Sequence, residues 1–145
     1  MKKNRIRPLS ICVFRNNDRI LVAEGYDPIK RQTFYRPLGG GIEFGENSQQ
    51  TVHRELQEEL GVDVRDLIYL GTLENIFIFN GKPGHEIVQV YDGALVDSKL
   101  YDQAVVEGHE ADMGESFKAV WKNLAEFESG ECILYPTGLL ELLRG

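Results

Sequence analysis

Apolar positions recur at strand spacing over residues 7–15 (RPLSICVFR) and 19–24 (RILVAE), and Asn16, Asn17 and Asp18 between them have turn chemistry, so the chain is expected to open with an antiparallel hairpin. Residues 25–32 are polar and contain Pro28, which predicts a loop, and residues 33–38 (TFYRPL) then run as a short strand into Gly39, Gly40 and Gly41. Adjacent residues without a Cβ permit positive φ and let a metal or ligand approach backbone carbonyls, so a turn is expected there.

The period then changes. Val52, Leu56 and Leu60 recur at i, i+4 and i+8, the stripe of a helix packed on one side. Asn47 or Ser48 can cap its start with Gln50 as capping-box partner, and Gly61 stands at the left-handed stop position. Residues 67–73, 75–79 and 86–96 are rich in β-branched and aromatic types, and 80–84 (NGKPG) is a loop signal, which predicts a second hairpin. Residues 97–113 are polar without a clear period, 117–124 resume as a strand, and 136–143 (PTGLLELL) read as a short terminal helix. Strands interrupted by a helix and closed by another predict an α/β arrangement of layers around a mixed sheet.

Beside the apolar stripe, the same helix carries Glu55, Glu58 and Glu59 at i, i+3 and i+4. At about 100° per residue these side chains share an arc, and like charges at such spacing cost roughly 0.2–0.5 kcal/mol per pair. A hard divalent cation offsets that repulsion, since Mg²⁺ and Mn²⁺ take carboxylate oxygens and keep positions open for water and phosphate. Glu55, Glu58 and Glu59 are therefore the expected metal ligands, and Glu55 and Glu59 form the pair one helical turn apart. Arg54 precedes Glu58 by four residues and can pair with it.

Gly40, five residues, Glu46, seven residues, then Arg54-Glu55-Leu56-x-Glu58-Glu59-x-Gly61-Val62 resembles a complete Nudix box. One flank departs from the common form, with Leu38 before the glycine pair and Pro37 one place earlier. The resemblance implies a Nudix-type α/β/α sandwich around a mixed sheet, in which the box presents its glutamates to a cleft. It also implies a carbonyl ligand at Gly39 or Gly40, and a supporting role for Glu46 and Arg54, which hold the metal-binding glutamates in place. Family members often carry a glutamate in a loop before a Trp-containing strand, which resembles Glu115 ahead of Trp121. Glu115 is thus the expected catalytic base, with Glu110 as runner-up and Glu55 or Glu58 as the alternative within the box. The activity implied is a pyrophosphohydrolase, dependent on Mg²⁺ or Mn²⁺, that attacks the diphosphate bridge of a nucleoside diphosphate linked to another moiety X. A non-catalytic nucleotide-binding or regulatory protein that keeps the fold is the alternative, against which the intact set of glutamates speaks. The resemblance allows a homodimer formed through exposed strands or the N-terminal segment.

Composition narrows the partners. A net charge of −7 argues against a nucleic-acid surface, because backbone affinity rests on Lys and Arg, whereas a small phosphate ester needs only a local positive field. Arg36, just before the glycines, can reach a substrate phosphate, and Glu86 with His85 begins a strand that can line the cleft. His53 and His109 read as solvent-facing, Phe77, Phe79 and Tyr91 as packing residues, one of which could instead stack on a base or sugar, and Trp121 as core with its N–H satisfied. A chain of 145 residues is expected to form one domain, 1–145. No run is long enough to span a membrane and the start lacks a signal-peptide pattern, so a cytoplasmic protein with reduced Cys12 and Cys132 is expected.

Overall fold

The computed structural model describes residues 4–109 and 115–145. Strands β1 (Ile6–Asn16) and β2 (Arg19–Asp27) make the opening hairpin, turning at Asn17, whose φ is 58°. Strands β3 (Gln32–Arg36) and β4 (Leu38–Gly41) lead into helix α1 (Ser48–Leu60). Strands β5 (Val64–Phe79) and β6 (Lys82–Leu95) form the long second hairpin. A 3-10 turn (Ser98–Asp102), β7 (Val105–His109), β8 (Ser116–Asn123) and the short helices α2 (Leu124–Glu128) and α3 (Leu139–Arg144) follow.

The eight strands join one sheet with main order β5-β6-β1-β2-β8-β7, while β4 pairs with β1 and β3 with β2. The β1–β6 pair is parallel and the other strand pairs are antiparallel, which makes the sheet mixed. Alternation along β1 sends Leu9, Ile11 and Val13 to one face and Cys12 and Phe14 to the other. Cys12 and Phe14 pack with Val52 and Leu56 of α1, whereas Leu9, Ile11 and Val13 pack with Phe127 of α2 and Leu139 and Leu143 of α3. Helices therefore cover both faces, in the α/β/α layering expected. Each fully buried Val, Leu or Phe contributes about 1.5–3 kcal/mol, so the layers hold together by burial on both sides.

β1 and β2 pair only at Arg15–Ile20 and Asn16–Arg19. Beyond that β1 takes β4 as neighbour and β2 takes β3, and this divergence positions the site.

Several local expectations are corrected. β2 runs on through Gly25, Tyr26 and Asp27, because β3 supplies partners for each of them. Gly39, Gly40 and Gly41 lie in β4 rather than in a turn, paired with Ile11, Ser10 and Leu9 of β1. The runs 67–73 and 75–79 are one strand, β5, with irregular pairing near Arg65–Ile68 and Tyr69–Gly71. The polar stretch after residue 97 contains β7, which pairs with β8 and whose alternating burial is too short to register as a period. No helix among the described residues is long and apolar enough to cross a membrane.

Candidate active site

The N-terminus of α1 is closed by a reciprocal capping box: Asn47 Oδ1 accepts from Gln50 N and Gln50 Oε1 accepts from Asn47 N, both at 2.9 Å. Gly61 ends the helix at φ 67°. Between these stops Val52 and Leu56 are pinned in the core, and the helix cannot rotate without exposing them. The acidic face is thereby aimed at the end of β4.

Arg54 is the hub of that face. Its Nε and Nη2 donate to the two carboxylate oxygens of Glu46 at 2.8 and 2.9 Å, Nη1 donates to Glu55 at 2.9 Å and to Glu58 at 3.2 Å, and Nη2 also donates to the Gly41 carbonyl at 2.8 Å. Glu46 further accepts from the Thr51 hydroxyl at 2.6 Å and from the Glu43 N–H at 3.1 Å. The arginine beside it holds the Glu46 carboxyl down at about 2, and the same pair raises the Arg54 guanidinium. Glu46 and Arg54 thus brace the loop between β4 and α1 against the helix.

Glu55 packs on Gly40: a Cβ built there would lie 2.4 Å from the Glu55 carboxyl carbon. Gly40 does not need positive φ; its lack of a side chain makes room for the carboxylate. Gly39 is the strained position, with φ 149° and a Cβ that would come within 2.1 Å of the Ser10 carbonyl oxygen. Glu59 is only 5% exposed, so it lies within the fold and not on an open helix surface, while Glu58 is exposed. Arg7, Gly41, Glu43, Arg54, Glu55 and Glu58 line an open cleft of about 360 Å³. Its donors are hard carboxylate and carbonyl oxygens, and the space that a Cβ at Gly40 would fill lies beside a carboxylate, so the residues fit Mg²⁺ or Mn²⁺. Among the described residues, the one set of three ligand atoms within 4.8 Å of one another lies elsewhere, at Glu126, Glu131 and Cys132. Burial pushes the Cys132 thiol up, which disfavours the thiolate a metal takes. In the cleft, Arg54 itself bridges Glu55 and Glu58.

A second cavity of about 360 Å³ lies next to the first, between the β2–β3 and β5–β6 hairpins. The carboxylate of Glu86, with 3% of its side chain exposed, lies in its wall 3.6 Å from Arg36 and 3.9 Å from Arg7, and Asn75 donates to it at 3.4 Å. Arg7 lines both hollows, so a cation stands where they meet. Sequence reading did not single out Arg7. The signal lies in strand register, because Arg7 pairs with Glu86 across the parallel β1–β6 ladder. Phe77 and Phe79, expected to pack, line this cavity, whereas Tyr91 is buried and its hydroxyl meets that of Ser48 at 2.6 Å.

Glu115 is exposed at the foot of β8 and is not part of the cleft wall. Glu110 lies outside the described residues. His53 and His109 are exposed, and buried Trp121 donates its Nε1–H to the Leu100 carbonyl at 3.2 Å. Cys12 is buried and free, and burial pushes its thiol up.

Residues 5–132 match the family model for the NUDIX domain. Curated relatives include the NAD-capped RNA hydrolase NudC of Vibrio atlanticus, 38% identical over 68 residues, which are 47% of this chain and 24% of that protein. NudC of Pseudomonas aeruginosa is 37% identical over 68 residues, again 47% of this chain and 24% of the relative. The chain thus spans about a quarter of the length of the curated relatives it matches. Among solved structures, a NUDIX hydrolase from Nitrosomonas europaea superposes with a TM-score of 0.66 at 17% identity, covering 97% of this chain and 87% of that one. A MutT NUDIX hydrolase from Burkholderia pseudomallei gives 0.62 at 19% identity, covering 96% and 95%. At these identities the likeness concerns the fold.

Proposed function

The chain belongs to the Nudix hydrolase family, and from that footing we propose that it is a metal-dependent pyrophosphohydrolase, cleaving the diphosphate bridge of a nucleoside diphosphate linked to a second group X. The observation that carries this reading is the pressing of the Glu55 carboxylate against Gly40 in a cleft whose rim holds Arg7. Nudix hydrolases use divalent metal ions. Glu55, Glu58 and Glu59, with a carbonyl from Gly39 or Gly40, would hold Mg²⁺ or Mn²⁺ here. When bound, the ion neutralises the phosphate oxygens and makes a water a better nucleophile.

The remaining work belongs to the chain. Arg7 and Arg36 draw the diphosphate to the mouth of the cleft, and Glu86 keeps both guanidiniums in place. Arg54, held by Glu46, orients the carboxylates of Glu55 and Glu58. A carboxylate, Glu115 in this proposal, takes the proton of the attacking water. The water oxygen bonds to one phosphorus, the bridging P–O bond breaks, and two monophosphate products leave. The substrate is a small nucleotide and the setting cytoplasmic.

The test is incubation with nucleoside triphosphates, nucleotide sugars, ADP-ribose and dinucleoside polyphosphates, each with Mg²⁺, Mn²⁺ or EDTA. Metal-dependent release of monophosphates is expected and identifies X. Nucleotide binding without turnover of any of them would instead establish the non-catalytic alternative.

A further inference from the structure

A third hollow, of about 600 Å³, lies between the start of β1 and the tip of the β5–β6 hairpin. Strand register builds it. The parallel β1–β6 ladder sets Arg7 opposite Glu86, and the antiparallel β5–β6 ladder sets Phe77 opposite Gly84 and Phe79 opposite Lys82. Because side chains alternate along a strand, Arg7, Phe77, Phe79, Lys82 and Glu86 share one side of the sheet, and Arg5 joins them two residues before Arg7. Two distant stretches of chain thus bring their cations to one groove.

The arginines connect this groove to the rest of the site. Arg7 lines the acidic cleft, the neighbouring cavity and the groove, while Arg5 lines the cleft and the groove. A ligand that extends from the cleft into the groove therefore passes over positive charge.

The local charge runs against that of the chain. Acidic residues outnumber basic ones by 23 to 16, yet among the described residues that line the groove the one carboxylate is Glu86, which already faces Arg7 and Arg36. Arg5 and Lys82 are exposed, and neither forms an ion pair among the described residues. An anion lying between them gains from both. A phosphoryl group suits the place, since it offers several oxygens to a guanidinium fork and to an ammonium at once. His85, half-buried in the same wall, adds ring nitrogens.

We propose that this groove is a subsite for a phosphoryl group beyond the scissile bridge, so that the substrates of this protein carry at least one further phosphate on the X side. The proposal rests on the pyrophosphohydrolase reading and narrows X, which that reading leaves open. The further phosphate is either the next link of a polyphosphate chain or an ester on a sugar, and the oxygens that meet the groove are the same in both. A neutral X leaves Arg5 and Lys82 without counter-charge.

The experiment is calorimetric titration in EDTA, where the groove can bind and metal-dependent hydrolysis cannot proceed. Two pairs of probes each differ by one phosphate: the α,β-methylene analogues of ADP and ATP, and ADP-ribose without and with a phosphate on its terminal ribose. In at least one pair the more phosphorylated probe is expected to bind about tenfold more tightly. A gain in the first pair alone identifies a chain phosphate, and a gain in the second alone identifies a sugar phosphate. Arg5→Gln and Lys82→Gln are each expected to cut that gain to about threefold or less, whereas Lys99→Gln, at an exposed lysine outside the groove, keeps it in full. Equal affinities within both pairs, a gain untouched by the two groove variants, or one that Lys99→Gln lowers as much as they do, overturns the proposal. Metal-dependent hydrolysis of nucleotides combined with equal affinities would remove this inference alone. A groove-dependent gain in a protein that hydrolyses nothing would remove the pyrophosphohydrolase reading alone.

Discussion

Arg54 and Glu46 face each other through two parallel hydrogen bonds, Nε to Oε2 at 2.8 Å and Nη2 to Oε1 at 2.9 Å. A forked pair of this kind fixes direction as well as distance. It joins the loop after β4 to the middle of α1, and the arginine's remaining N–H groups reach Glu55, Glu58 and the Gly41 carbonyl.

The pair has a pH signature. Hydrogen bonding to Arg54 lowers the Glu46 carboxyl from 4.5 to about 2 on folding. A folded value below the unfolded one means that the contribution to stability is present above 4.5 and is lost as pH falls through about 2. Glu46→Gln lacks that contribution at every pH. In urea unfolding, the stability gap between wild type and Glu46→Gln is therefore expected to be wide near pH 6 and to narrow near pH 3. Equal gaps at both values would show that the carboxylate is not held low.

Gly39→Ala and Gly40→Ala are expected to fail in opposite ways. At Gly40 the added methyl meets the end of the Glu55 side chain, which can swing away, so melting changes little while kcat/KM falls by about a hundredfold or more. At Gly39 it meets the Ser10 backbone at a φ of 149°, and the cost appears as about 1–3 kcal/mol of lost stability. Thermal melts and initial rates on both variants decide it, and a fully active Gly40→Ala would mean that Glu55 need not sit where it does.

Glu59→Gln preserves shape at a position only 5% exposed and removes the charge. Turnover is expected to be abolished and manganese uptake, measured by calorimetry, to weaken by at least about tenfold, while the fold is retained. Unchanged uptake would strike Glu59 from the ligand set.

Glu115→Gln examines the base. If its carboxylate takes the proton, kcat falls by about 10²–10⁴ with KM little altered. Wild-type turnover would return the role to Glu55 or Glu58, or to Glu110.

Glu86→Gln releases two arginines from a buried anion. The expected result is a KM raised by about tenfold with kcat largely kept, since the guanidiniums hold substrate and ground state alike. A fall in kcat with unchanged KM would place Glu86 at the reacting atoms instead.

The amino-acid order settles whatever lies within one element. The spacing of Glu55, Glu58 and Glu59, the cap at Asn47, the stop at Gly61 and the partnership of Arg54 with Glu58 follow from the geometry of a single helix, which repeats every few residues regardless of its surroundings. Burial of Glu59, the strand rather than turn at Gly39 to Gly41, and β7 were decided by neighbours far along the chain. So were Arg7 beside Glu86 and the cross-strand pairs of Phe34 with Gly25 and Phe77 with Gly84. Those pairings depend on which strands adjoin and in what register, and a shift of one residue would turn every side chain to the opposite face. Local periodicity carries no record of register, and for that reason the acidic face of α1 is legible along the chain whereas the wall of the neighbouring cavity emerges only when the strands are assembled.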